Sequence, residues 1–432
     1  MFMFSRVASH VEGFVASPGR KAFSLLIATA LLGACIVPQA GYCNDSNDPY
    51  ATYFISSFGS NQVMSFNEDT GKFLGVIAAV SGPVASQIGF RGDLFLSASG
   101  SGQVLRFDGY SGAYKGVYID KGNGGLISPS APNFGPDNKV YVGDSTLNQI
   151  LRYDSDGKFI DVFATHDQAD GGLTQPFMQT FDQTSMYMAS GGTNSVLHYD
   201  LQTKKFLGAI APPNPSDLVQ PIGLEFGPDG NLYVGSAGTN AVLRFNGKTL
   251  AFMDIFVPPG YGGIVDPHAI RFGGPNSNLY VVSTGTNQVM EYDRVTGKFL
   301  GIIADGNPDG LSEARGLTFT PRPIFNVFSH VAGSSSLSAM HDFRHVFIEH
   351  HLKDYSDPSS HAELMSIVSS DKNVDINKSV RNAHIGEADY SFDLDFSNKS
   401  GTEQYYTITY IASNNHGLTT IATTEVDVPP QR

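Results

Sequence analysis

The stretch GTNAVLRF at 238–245 is nearly rewritten as GTNSVLHY at 192–199 and GTNQVMEY at 285–292, with looser copies elsewhere in the chain. A tandem repeat constrains a fold more than composition does, because every unit must bury its apolar face against its neighbours in the same way. Aligning the copies places Asn61, Gly102, Asn148, Asn194, Asn240 and Asn287 at one position, with spacings of 41, 46, 46, 46 and 47. A period of this size, built from strand-forming residues and punctuated by Gly and Pro, predicts propeller blades of four short strands each.

One copy shows the pattern: PIGLEF (221–226), the turn GPDG, NLYVGS (231–236), the turn AGTN, AVLRFN (241–246) and LAFMDIFV (250–257). Leu232, Val234 and Val242 alternate with other residues, as in strands. In the GPDG turn, Pro228 presets φ and Gly230 relieves crowding where the chain reverses. Five further blocks, 53–78, 94–119, 140–164, 186–211 and 279–304, repeat the second, third and fourth strands. The first block lacks a first strand, and ARGLTF (314–319) is a first strand left over after the last block. Pairing these two ends in one blade would remove an exposed sheet edge. The expected fold is therefore all-β, with a closed six-bladed β-propeller over 48–322.

The pattern P-x-G-L-x-F-G-P-D-G-N-L-Y-V, then N-x-V-L-R-F/Y-D, then G-K-F runs through all six blocks and resembles the NHL-type repeat propellers of exported bacterial proteins. That resemblance implies the fold. For function it implies little, since related gluconolactonase-like propellers include lactonases, lyases and plain binding scaffolds.

Beyond TPRPIF (320–325) the repeat stops. The ending YYTITYIASNNHGLTTIATTEVDVP (405–429) alternates over two strands around an NNHG turn, and 366–371 and 390–397 read as further strands. The segment 323–432 resembles the immunoglobulin-like, hyalin-repeat-related modules of bacterial surface proteins, which implies a C-terminal immunoglobulin-like β-sandwich used as a spacer or adhesive module. It has no Cys, Trp, Cys signature, so only the sandwich architecture carries over.

The N-terminal 47 residues read as a signal segment plus linker. Arg20 and Lys21 precede the apolar run AFSLLIATALLGACIV (22–37), which has signal-peptide rather than membrane-spanning length. Two processing readings stay open. LLGAC (31–35) resembles a lipobox, which would make Cys35 a lipidated N-terminus, whereas VPQA (37–40) would be an ordinary cleavage site. Either predicts an exported chain that is secreted, periplasmic or tethered as an outer-membrane lipoprotein, with a lipid anchor as its one route to a membrane. Both cysteines, Cys35 and Cys43, precede the repeat, so burial rather than disulfides must hold the fold. The net charge of -14 argues against nucleic acid as a partner, because no basic field exists to displace counterions.

Within a repeat, what recurs in every blade reads as architecture and what occurs once can carry function. The recurring Asn belongs to turn chemistry. The residues entering the innermost strands line the channel mouth, where small-molecule sites form, and are read as Ser86, Ser130, Phe177, Ile222, His268 and Arg315. His268 and Arg315 fall on neighbouring blades and would hold an anionic ligand, or act as base and anion clamp; alternatively His268 is a wall residue and Arg315 pairs with Glu313.

No cofactor follows from the residues. A divalent cation such as calcium, used by gluconolactonase-type propellers, needs converging oxygens, and Glu225 and Asn133 sit at a later strand position, pointing between blades. Asp120, Asp167, Asp170, Asp217, Asp266, Asp305 and Asp309 would make one face acidic. HDFRH (341–345) has metal-like spacing, but 344–352 reads as a strand. With no G-x-S-x-G, phosphate loop or H-E-x-x-H, the leading expectation is a non-catalytic binding or scaffold protein. The alternative is a lactonase- or lyase-type enzyme acting at the channel mouth.

Overall fold

A computed structural model describes residues 52–429 apart from 69, 275, 307–309, 322–323, 332–342, 354–358, 398–403 and 415–418. The signal segment with Cys35 and Cys43, together with Asp309 and His341, lies outside the described residues. Those described belong to one compact unit, Asn44–Arg432.

The fifth repeat folds as its sequence predicts, into strands Pro221–Phe226, Leu232–Ser236, Ala241–Phe245 and Phe252–Val257 joined in antiparallel order. Leu224, Val234, Leu243 and Ile255 stand opposite one another across the sheet. One face of this row packs with Tyr187 and Val196 of the preceding repeat. Tyr233 and Val242, on the other face, pack with Ile270, Leu279 and Val281 of the next. The second strand is buried along its whole length because both of its faces are covered. Its alternation therefore separates two packed faces and does not divide core from solvent. The tyrosine on this strand also ties down the turn before it: Tyr233, Tyr141 and Tyr187 donate to Asp229, Asp137 and Asp182.

Six such four-stranded sheets follow in order. Their inner strands are Pro83–Ile88, Pro129–Phe134, Pro176–Phe181, Pro221–Phe226, Pro267–Gly273 and Ala314–Phe319, and each contacts the next, the last contacting the first. Ala314–Phe319 pairs antiparallel with Thr52–Ser57, with Tyr53 opposite Phe319 and Ile55 opposite Leu317. The leftover strand thus completes the first blade. Ser57 and Ser312 reinforce the junction by exchanging hydrogen bonds of 3.1 and 2.9 Å.

The repeated Asn has two tasks. Asn61, Asn148, Asn194, Asn240 and Asn287 all adopt left-handed φ between 52° and 57°, and Gly102 does so at 71°. Four of them also clip adjacent blades together. The Oδ1 atoms of Asn61, Asn148, Asn194 and Asn240 accept from the backbone N–H of Gly82, Gln175, Gln220 and Asp266 at 2.7–2.8 Å. Each donor is itself left-handed and immediately precedes the proline that opens the next inner strand. Where Gly102 replaces Asn there is no side chain to accept, and the residue before the next inner strand, Ser128, is not among the left-handed ones. At the last seam, Asn287 Oδ1 is buried without a hydrogen-bond partner.

The last strands make two further sheets. Ile324–Val331, Phe343–Lys353, Ser391–Asp395 and Val380–Arg381 form one; His361–Ser369, Gln404–Ser413 and Thr419–Val428 form the other. Val346, Phe392 and Leu394 of the first share a core with Leu364, Ile408 and Tyr410 of the second. The expected strands at 344–352, 366–371 and 390–397 and the hairpin at 405–429 are all present, while the turn after Asn414 lies outside the described residues.

Replacing Asn240 separates its two tasks. Asn240→Ala is expected to cost about 2–3 kcal/mol, from the left-handed backbone together with a stranded N–H at Asp266. Asn240→Gly keeps the backbone conformation and should cost about 1–2 kcal/mol. Urea midpoints measure both, and a Gly variant as stable as the parent would show that the clip contributes nothing.

Candidate functional site

In each of the second to sixth blades the inner strand opens on Pro83, Pro129, Pro176, Pro221 or Pro267, paired with the second strand, and the ladder then skips two residues. In the first blade the ladder skips one residue, Arg315, after Ala314. The first skipped residue in each case is the position expected at the channel mouth. This register makes the set Val84, Ser130, Phe177, Ile222, His268 and Arg315. Ser86, expected there, is displaced by two positions: it stands opposite Leu96, 2% exposed, and its hydroxyl lies 2.7 Å from that of Thr318 on the first blade. Aligning Pro83 with the other four prolines would have identified Val84 from sequence.

Ser130 and Ile222 are buried, and Ser130 donates to the carbonyl of Gly143 at 3.1 Å. Val84 is buried as well, and Phe177, His268 and Arg315 make the set distinctive. Phe177 and His268 meet edge to face with centroids 6.0 Å apart, although a whole blade separates them in chain order. The Arg315 guanidinium carbon sits 3.4 Å from the centroid of the Phe58 ring, and Nη2 pairs with Glu313 at 3.2 Å. Arg315 thus pairs with Glu313, as one reading of the sequence expected, while its charge also acts on His268.

His268 and Arg315 are coupled electrostatically. Burial, aided by the positive charge of Arg315, pushes the imidazole down to about 3. Burial also pulls the guanidinium below its ordinary value, against the opposing pull of Glu313 and Asp266. Burial raises Asp266 in turn, with Arg315 opposing. At neutral pH the site thus holds a neutral imidazole beside a cation. Both His268 Nδ1 and Arg315 Nε are buried with no hydrogen-bond partner. Such an imidazole can exchange a hydrogen bond with a ligand, but a base with so low a pKa has little drive to take a proton at pH 7.

A second polar ring lies farther along the same strands, and the sequence reading saw only Glu225 and Asn133 of it. They do bridge blades. Glu225 Oε2 accepts from the N–H of Phe272 at 3.1 Å and lies 3.8 Å from Arg271, while Asn133 donates to the carbonyl of Gln179 at 2.6 Å. Arg271, which was missed, reaches past the first blade to Gln87 at 3.0 Å. Burial, with Arg271 opposing, raises Glu225 to about 7. The signal was present as a column, since Gln87, Asn133, Thr180, Glu225, Arg271 and Thr318 are polar in every blade and each directly precedes an Ile or Phe.

The other expected sites dissolve into local structure. Asp120 accepts from Gln103, Asp170 from Thr165 and Asp217 from Asn214, so these carboxylates brace their own loops. His330 and His345 pair with Glu349 and Asp393 on adjacent strands at 3.0 and 2.7 Å, and His350 stacks on Tyr390. Among the described residues no three His, Cys, Asp or Glu side chains group as metal ligands.

No family model and no curated protein matches the chain. Solved structures do. A chain of a nidogen/laminin complex is similar at TM-score 0.52 and 16% identity, covering 62% of this chain and 98% of that one. Virginiamycin B lyase from Staphylococcus aureus is similar at TM-score 0.45 and 17% identity, over 65% of this chain and 92% of that one. A protein of unknown function from Bacteroides caccae is similar at 0.47 and 12%, over 62% and 98%. The four-stranded sheets and the first of these likenesses identify the repeat region as a β-propeller.

The buried imidazole makes a signed prediction. Its folded pKa lies below the ordinary 6.5, so its contribution to stability is complete above pH 6.5 and is lost as pH falls toward 3. The slope is at most about 1.4 kcal/mol per pH unit. His268→Gln should therefore flatten the acid side of the stability profile, read from urea midpoints at pH values from neutral down to about pH 4. An imidazole that titrates by NMR near 6.5 in the folded chain would contradict this.

Proposed function

We propose that this chain is an exported binding or scaffold protein whose propeller, closed over 48–322, recognises a ligand at the channel mouth. An immunoglobulin-like module over 323–432 spaces or docks it. The observation that carries this reading is the pair of buried, unpartnered nitrogens, His268 Nδ1 and Arg315 Nε, between the aromatic rings of Phe177 and Phe58. An unsatisfied buried polar atom costs about 1–3 kcal/mol, which a ligand offering acceptors would recover. The continuous succession of inner-strand contacts supports closure, and the two facing sheets with one core support the sandwich. Export rests on the apolar run 22–37.

A lactonase or lyase reading would use the same two residues, with His268 as base and Arg315 as clamp. The depressed pKa of His268 favours binding over proton abstraction.

NMR titration with small anionic and neutral fragments tests the proposal. Anionic fragments are expected to shift the His268 ring signals, and Arg315→Ala should weaken them about tenfold, the scale of one charge-assisted hydrogen bond. Saturable opening of lactones or esters that disappears in His268→Ala would overturn it in favour of the enzyme.

A further inference from the structure

The second blade departs from the charge pattern of the third and fifth. In the third and fifth blades a third-strand arginine is neutralised by the aspartate opposite it on the outer strand, Arg152 by Asp161 and Arg244 by Asp254. In the second blade the residue opposite Arg106 is Gly116, and the outer strand supplies Lys115 instead. Both cations turn to one buried carboxylate: Asp93, whose side chain is 4% exposed, accepts from Arg106 Nε and Lys115 Nζ at 2.5 Å each. Lys115 also reaches Asp108 at 2.9 Å. A third cation, Arg91, stands exposed at a left-handed φ of 63° and makes no ion pair among the described residues.

These three cations line one cavity of about 240 Å³ between the second and third blades. Phe95 and Tyr118, in edge contact at 4.5 Å, supply an aromatic wall, and Asp156 is the only acid lining it among the described residues. Cations outnumber acids in the lining, in a chain whose net charge is -14; Asp93 and Asp108, behind Arg106 and Lys115, take up part of that charge, and Arg91 is left without an ion pair among the described residues. A comparable cavity of about 410 Å³ between the fifth and sixth blades sets Arg244 and Lys298 against Asp254, a smaller excess. The small volume limits the occupant, since pockets for drug-sized molecules begin at about 300 Å³.

We propose that the cavity between the second and third blades binds a small organic anion, a carboxylate carried on a ring. The carboxylate sits among Arg91, Arg106 and Lys115, and the ring lies against Phe95 and Tyr118. Arg106 is pinned by Asp93 with donors to spare, so its fork is set before the ligand arrives. This site is separate from the channel mouth and shares no residue with it.

The probe is benzoate, titrated calorimetrically into the full-length mature chain, with benzamide as the uncharged counterpart. Saturable benzoate binding is expected, weakened about tenfold or more in Lys115→Met and in Arg91→Ala, the scale of a lost charge-assisted contact. Arg315→Ala, at the channel mouth, should leave this binding unchanged. Arg91 is exposed, so its variant should keep the parent's unfolding midpoint and report on binding alone. Benzamide binding as well as benzoate, equal affinity in both pocket variants, or no saturable binding would each overturn the proposal.

Discussion

Everything in the propeller depends on one non-local interaction, the pairing of Thr52–Ser57 with Ala314–Phe319. Each middle strand needs both faces covered, and a linear row of such sheets would leave an apolar face bare at each end. Joining the two ends of the repeat region in one blade gives the first and sixth blades a shared core, with Tyr53 reaching Ile303 and Ser57 meeting Ser312 across the junction. Such pairing has a large loop-closure cost, repaid only once many interblade contacts exist. At four of the seams the Asn clips help by tying one blade's turn to the entry of the next blade's inner strand.

That uniformity is the background against which function stands out. Where the repeat is faithful, side chains serve the ring: tyrosines tie turns, asparagines clip seams and arginines meet aspartates. The departures cluster in two places. At the channel mouth, His268 and Arg315 stand where other blades carry small or apolar residues, and their shared burial keeps the imidazole neutral beside a cation. In the second blade, Gly116 stands opposite Arg106, and Arg106 and Lys115 share Asp93 at the edge of a cavity that Arg91 also lines.

Strand boundaries were legible because Gly, Pro and Asn mark each reversal of the chain, and turn chemistry acts over three or four residues. The mouth residues were legible only in part. His268 and Arg315 could be named from their place beside Pro267 and in the leftover strand, but Ser86 lies two positions past Val84, because Pro83 sets the register of that strand as the prolines of the other blades do. Arg271 went unnoticed since its partner, Gln87, lies 184 residues away.

The amino-acid sequence by itself determined the blade, its turns and the number of its repeats, since local backbone preference and apolar patterning are properties of neighbouring residues. Only the tertiary structure decided the depression of His268 by burial and Arg315, the meeting of Phe177 with His268, and the gathering of Arg91, Arg106 and Lys115. Charge and desolvation act through space, and the distances that set them exist only after the blades have come together.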